Sequence, residues 1–239
     1  MESNSIFDWN GQELVQDARV HKITTDALLL GGWVSSLFTE VKSCLDAGTG
    51  TGILAIMIGH AFRRAKIDAI DIDDDAVALA GTNIMRMSME KRVRAFKSDL
   101  ADIDVKDVVG YDLIVSNPPF YTQSLLPTNP LHLRAKHAVV PIDQWMKGLL
   151  RLLVSDGHLC VIVPADKAGH WIAAANETGY FVHHRLEVYS TPSDSRPVRS
   201  LLHFGMGLTR PERSDLIIYT EERLYTSAYM VLTSTRKKT

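Results

Sequence analysis

A chain of 239 residues with 46% apolar and 23% charged residues has the make-up of an ordinary globular protein, long enough for one large α/β domain. Its net charge of −2 excludes a global pull on nucleic acid or membrane, though not a local basic surface. Two cysteines, the lack of any Cys/His metal spacing, the lack of a bilayer-length apolar run, and a start (MESNSIFDWNGQE) without a basic region and apolar core argue against a disulfide scaffold, a metal protein, a membrane protein and a secreted one. A cytoplasmic location is the expectation, with Cys44 and Cys160 as buried free thiols.

In chain order, residues 1–19 read as a polar lead-in with scattered aromatics. Thr24, Thr25 and Asp26 offer N-cap chemistry to a helix over the apolar run that follows. The stretch SCLDAGTGTG is a strand running into glycines, and ILAIMIGHAF a helix. KIDAIDID is a strand, DDAVALAGTNIMRM a helix whose first acids suit its dipole, and VRAFKSDL and YDLIVSN are strands. IDQWMKGLLRLLV predicts an amphipathic helix with Trp145, Leu149, Leu152 and Leu153 on one side. GHLCVIVP is a strand, and ADKAGHWIAAANETG a helix stopped by Gly179. Two strands, YFVHHRLEVYS and VRSLLHFGMG, flank the turn-rich TPSDSRP; His183 and His184 in the first of them read as structural. The end of the chain reads as a short strand, a helix and a basic tail. Strands alternating with helices imply a mostly parallel sheet covered on both faces, and the two helix-less neighbours are expected to pair antiparallel.

The turn Asp46-Ala47-Gly48-Thr49-Gly50-Thr51-Gly52 joins the first core strand to its helix. Glycines there let a backbone approach a ligand closely at a helix N-terminus. A carboxylate at the strand end would repel a pyrophosphate, whereas it suits a ligand with a positive centre, such as the ammonium and sulfonium of S-adenosylmethionine. Asp71 ends the second strand, where a carboxylate can accept both ribose hydroxyls of a nucleoside. Asp99 follows the third strand and can accept from an adenine amino group.

Asn117-Pro118-Pro119-Phe120 closes the fourth strand, which lies beside the first in a doubly wound sheet. The Asn117 amide oxygen and the Pro118 carbonyl, held extended by Pro119, form two acceptors for one NH2 group. Accepting both N–H bonds frees the delocalised lone pair of an aryl amine or amide for attack on a methyl group. Phe120 can stack on a planar base.

These motifs resemble the class I S-adenosylmethionine-dependent methyltransferases of the amino-methylating type. QDARVHKITTDALLLGGW, RAKHAVVPIDQW, SRPVRSLLHF and LIIYTEERLYTSAYMVLTS narrow the resemblance to the bacterial tRNA1(Val) (adenine-37-N6)-methyltransferase family, over nearly the whole chain. The resemblance implies an α/β Rossmann-like fold: a mostly parallel seven-stranded sheet, helices on both faces, an antiparallel last strand. It implies a single methyltransferase domain over 1–239, with a lid segment at 1–40, the core at 41–210 and an extension at 211–239. S-adenosylmethionine is the implied cofactor, held by Lys22, Thr25, Asp46, Gly48, Gly50, Gly52, Asp71, Ile72, Asp99, Leu100 and Asn117. Lys22, Thr25 and Asp26 would form a lid, although capping alone also accounts for Thr25 and Asp26. The catalytic set would be Asn117, Pro118, Pro119 and Phe120, and the partner tRNA. Phe120 stands where tyrosine is commoner and Ile23-Thr24 where Val-Gly is expected. Phenylalanine also occurs there in ribosomal RNA guanine-N2 methyltransferases, and HemK-like glutamine N5-methyltransferases share the motif with tyrosine, so guanine and glutamine stay open as acceptors. RNA phosphates would meet Arg134, Lys136, His137, Arg196, Arg199, Arg236, Lys237 and Lys238.

Overall fold

The computed structural model describes residues 5–100, 103, 110–118 and 141–234. Pro119, Phe120, Arg134, Lys136, His137, Arg236, Lys237 and Lys238 of the expected site lie outside the described residues. The polar lead-in holds a hairpin of β1 (Ser5–Trp9) and β2 (Gln12–Gln16). Its turn, Asn10-Gly11, takes positive φ at both residues (54° and 79°), the mirror-image turn that matches strand twist. The Asn-Gly pair was the legible signal.

An eight-stranded sheet follows, in the order β10-β8-β9-β7-β6-β3-β4-β5. Its strands are β3 (Ser43–Ala47), β4 (Lys66–Asp71), β5 (Val93–Lys97), β6 (Tyr111–Ser116), β7 (Leu153–Pro164), β8 (Tyr180–Tyr189), β9 (Arg199–Met206) and β10 (Glu212–Ile217). The seven expected strands are present, with β9 antiparallel to both β7 and β8. β10 adds an eighth at the edge, parallel to β8, and most of its residues are solvent-exposed. Exposed charges such as Arg213 and Asp215 protect that edge from pairing with another chain.

Among the described residues the helices are α1 (Thr25–Leu37), α2 (Ile53–Ala61), α3 (Asp74–Arg86), α4 (Ile142–Leu150), α5 (Ala168–Asn176) and α6 (Ser227–Thr233). The strands alternate between the two buried faces. Cys44, Leu113, Val115, Cys160 and Ile162 share one core with α1, α2 and the C-terminal part of α3. Leu45, Ile114, Leu159, Val161 and Phe204 share the other with α4 and α5. Burial of alternate residues on both sides explains the near-continuous apolar strands. Both cysteines are free and buried, and burial pushes both thiols up. α4 stops at Leu150, not at the end of the apolar run, because Leu153 already begins β7 opposite Tyr111. The packing of α6 on α1 depends on Gly32: a Cβ there would lie 2.0 Å from the Leu232 carbonyl oxygen. Among the described residues no helix is long and apolar enough to cross a membrane. No group of three or more His, Cys, Asp or Glu among them could hold a metal.

Candidate active site

The sheet order reverses between β3 and β6, and in open α/β sheets that crevice at the carboxyl ends of the strands holds ligands. Register brings the expected residues level there: Asp46 pairs with Val115, Ala47 with Ile70, and Asp71 with Lys97. The Ser116 hydroxyl, fully buried, donates to the Ala47 carbonyl at 2.8 Å. That bond ties the Asn117 backbone to the start of the glycine turn.

Gly48, Gly50 and Gly52 all have positive φ (79°, 54° and 83°), a region in which side chains are strained. A Cβ at Gly48 or Gly50 would meet nothing within 4 Å, so both face open space. Gly52 differs: a Cβ there would sit 3.1 Å from the Ala80 Cα, so its role is the close approach of α2 to α3. The turn is held by the Gly48 and Thr49 N–H groups, each donating to the Ile70 carbonyl at 2.9 Å.

Asp46 is fully buried. Its Oδ2 accepts from the Thr49 hydroxyl at 2.6 Å and from the Ala55 N–H at 3.1 Å, while its Oδ1 is buried with no partner. Burial pushes this carboxyl up to about 7, against the pull of those two donors. Asp71 accepts from the Gly50 N–H at 3.0 Å and from the Asp73 N–H at 3.1 Å, one on each oxygen; burial raises its pKa too. Ile72 is 42% exposed, an apolar side chain left at the lip of the cleft. Asp73 caps α3, accepting from the Asp75 N–H, as its helix-start position suggested. Asp99 is exposed just beyond β5, whereas Leu100 is buried in the core under α4. The Asn117 Oδ1 is buried and unpartnered, and Pro118 behind it is buried.

An orphaned buried carboxylate oxygen on Asp46 and two glycines facing open space are what a nucleoside carrying a cationic amino-acid arm would complete, so these residues fit S-adenosylmethionine.

The lead-in folds over this turn. Val20 packs on Ala76 and Leu79 of α3, and Arg19 bonds Asp75 at 2.8 Å. Lys22 is exposed between these anchors and α1. Thr24, not Thr25 or Asp26, caps α1, its hydroxyl accepting from the Ala27 N–H at 3.3 Å. Thr25 lies against the Tyr229 hydroxyl of α6 instead. Asp26 pairs with Arg199 at 2.8 Å, so one of the expected phosphate contacts is already engaged inside the protein. Arg196 is exposed. His183 and His184 pack in a ring cluster with His203, and His184 faces Glu212 at 3.3 Å.

One residue escaped the sequence reading. Asn83 is fully buried; its Oδ1 accepts from the Val15 N–H at 2.8 Å, and its Nδ2 donates to the Val15 and Thr51 carbonyls at 3.0 and 2.9 Å. It thus joins the hairpin to the glycine turn. The signal was a polar residue on the buried stripe Ala76, Leu79, Ala80, Asn83, Ile84.

Residues 27–168 match the family model described as the methyltransferase small domain. The chain is 31% identical over 231 residues to a tRNA1(Val) (adenine(37)-N6)-methyltransferase of Phocaeicola vulgatus, with 96% of each chain covered. Among solved structures, one described as a predicted O-methyltransferase from Agrobacterium tumefaciens superposes with a TM-score of 0.68 at 17% identity, covering 87% of this chain and 95% of that one. The aTrm5 chain from its complex with tRNALeu gives 0.59 at 20% identity, covering 85% and 53%. At these identities the structural likenesses speak for the fold.

Proposed function

Since the chain belongs to the small-domain methyltransferase family, and within it to the group of tRNA1(Val) (adenine(37)-N6)-methyltransferases, we propose that it methylates N6 of adenine 37 in tRNA1(Val). The proposal includes S-adenosylmethionine as donor, a cytoplasmic setting, and one domain built of a lid (1–40), a core (41–210) and an extension (211–239). The observation that carries it is the unpartnered Asn117 Oδ1, beside the open face of the glycine turn.

When bound, S-adenosylmethionine supplies a methyl group on a sulfonium. Asp46 Oδ1 would accept from the ammonium of the amino-acid arm, which satisfies the orphaned atom. Asp71 would accept the ribose hydroxyls on the lone pairs its two backbone donors leave, and Ile72 would cover a face of the adenine. Asp99, through its carboxylate, and the backbone at Leu100 would meet the adenine edge. Lys22 and Thr25 would close the lid. Asn117 Oδ1 and the Pro118 carbonyl would accept both N6–H bonds of the target adenine, which restores its nitrogen lone pair as a nucleophile. Pro119 would hold the second acceptor extended, and Phe120 would stack on the base once it leaves its loop. Arg134, Lys136, His137, Arg196, Arg236, Lys237 and Lys238 would meet phosphates, whereas Arg199 is held by Asp26.

The test is methyl transfer from labelled cofactor to total tRNA of a strain lacking the protein, with nucleoside analysis. Label in N6-methyladenosine of tRNA1(Val) is expected; label in N2-methylguanosine or protein glutamine would overturn the reading. Asn117→Ala should lower turnover by about a hundred- to a thousandfold, the scale of a lost transition-state contact. Cofactor affinity by calorimetry should stay within a few-fold; parallel loss of both would remove Asn117 from the acceptor site.

A further inference from the structure

The amino edge of the sheet, opposite the Asn117 cleft, gathers cations from three neighbouring strands. Lys42 precedes β3, Arg63 and Arg64 follow α2, Lys66 opens β4, and Lys91 and Arg92 lie between α3 and β5. Parallel pairing sets these segments side by side. The Lys66 N–H donates to the Lys42 carbonyl at 2.9 Å, and the Ile67 N–H to the Arg92 carbonyl at 2.8 Å. The Arg92 guanidinium also donates to the Phe62 carbonyl at 3.5 Å, which holds it against the turn that carries Arg63. With β4 between them, the Lys42 and Arg92 backbones stand two strand spacings apart, about 10 Å. All of these side chains are exposed except that of Arg92, which is half-buried.

None of these cations makes an ion pair with a described residue, whereas Arg19, Arg86, Arg94 and Arg199 each hold a carboxylate of this chain. The acids around the patch do not neutralise it. Asp112 accepts from the Lys42 and Ser43 N–H groups at 2.9 Å, Asp68 is held by Arg94, and exposed Glu40 and Glu90 are outnumbered. Nor do the helix ends account for it. The last turns of α2 and α3 carry His60 and Arg86, and the pull of a helix dipole fades beyond the last turn. Burial, and after it the charge of Arg63, holds the Arg92 guanidinium below its usual range, so the fold tolerates a like-charge contact that nothing within it relieves. In a chain with a net charge of −2, so local an excess of cations fits a polyanion, and the arginine forks suit paired phosphate oxygens. From Lys66 to Asp71, β4 spans about 17 Å at about 3.3 Å per residue. The patch is therefore too far to touch the nucleotide held at Asn117 but near enough for the backbone of the same RNA.

We infer that Lys42, Arg63, Arg64, Lys66, Lys91 and Arg92 form a phosphate-binding surface for the backbone of the RNA substrate, outside the loop that carries the target base. The inference rests on the tRNA reading above and adds to it a second anchoring surface. Its test measures Kd for unmodified tRNA1(Val) transcript over a range of salt concentrations. Each lost phosphate contact lowers the slope of log Kd against log salt by about 0.7–0.9. Arg63→Ser/Arg64→Ser should therefore lower the slope by about 1.4–1.8 and, at a salt concentration tenfold below 1 M, raise Kd about 25- to 60-fold. Lys91→Ser, on a different turn, should lower the slope by about 0.7–0.9 and raise Kd about 5- to 8-fold at the same salt. Arg63→Lys/Arg64→Lys, which keeps both charges, should keep most of the slope. In all three variants kcat at saturating RNA and the cofactor Kd should match the wild type, because the patch does not reach the cleft. Serine variants that bind the transcript like the wild type would overturn the inference and leave the surface to an anionic partner other than this RNA. A lysine pair as weak as the serine pair, or a loss of cofactor affinity, would overturn it too. In each of those cases wild-type methylation of the same transcript would leave the tRNA reading standing, whereas a wild type that does not methylate it would sink that reading.

Discussion

Replacing Asp46 by asparagine should make the protein more stable and worse at binding its cofactor. The side chain is fully buried, and burial moves its carboxyl from the ordinary 3.8 to about 7. The folded state therefore holds a proton that the unfolded chain releases between those two values. By linkage, stability falls as pH rises from about 4 to about 7, and above pH 7 the ionised carboxylate costs at most about 4 kcal/mol. Asparagine can still offer an oxygen to the Thr49 hydroxyl and the Ala55 N–H, the two donors on Oδ2. It carries no charge, so at pH 8 the variant should gain about 2–4 kcal/mol of stability in urea titrations. The orphaned Oδ1 position would then carry an NH2 group aimed at a cationic ligand. Loss of a charged hydrogen bond, about 1.5–3 kcal/mol, predicts S-adenosylmethionine binding about 10- to 150-fold weaker by calorimetry at pH 8. In the wild type, a carboxyl titrating near 7 should weaken cofactor binding about tenfold from pH 8 to pH 6. The Asp46→Asn change would abolish that part of the pH dependence and leave only the titration of the ligand's own amine. A variant with unchanged affinity, or one that loses stability at pH 8, would refute the assignment of Asp46 as a destabilised cation acceptor.

Two further predictions concern stability. Asn83→Ala removes three hydrogen bonds and strands the Val15 N–H and the Val15 and Thr51 carbonyls; it should cost about 2–4 kcal/mol in a urea titration and weaken cofactor binding through the glycine turn. Unchanged cofactor affinity would mean that the clamp serves the hairpin alone. His203 is buried against His158 at 3.0 Å, and burial, helped by its histidine neighbours, pushes it from 6.5 down to about 3. The unfolded chain binds that proton first, so stability should fall as pH drops from about 6.5 towards 3, by up to about 4–5 kcal/mol. His203→Phe should flatten that fall between pH 7.5 and 5; equal slopes in the two proteins would assign it elsewhere.

The order of strands and helices and the carboxyl-edge placing of Asp46, Asp71 and Asn117 could be read from one dimension because their causes are local. Apolar runs of strand length, glycines after a strand and prolines ending one are all encoded within a few neighbouring residues. The Asn10-Gly11 hairpin was equally local but sat in a polar stretch, where no apolar alternation drew attention to it. Leu153, expected in the helix, begins β7 instead: an apolar residue at the end of α4 suits either element, and pairing with Tyr111 decides. Contacts between distant parts of the chain were beyond any such reading. Asp26 meets Arg199, Thr25 meets Tyr229, and Asn83 meets Val15 and Thr51 only once the sheet has brought β9, α6 and the hairpin around the same edge. So the local chain chemistry specified which groups stand at the cleft, through spacing and turn geometry. The tertiary fold decided which of them are left without partners, because an unpaired Oδ1 on Asp46 or Asn117 depends on what every other segment fails to bring within hydrogen-bond distance.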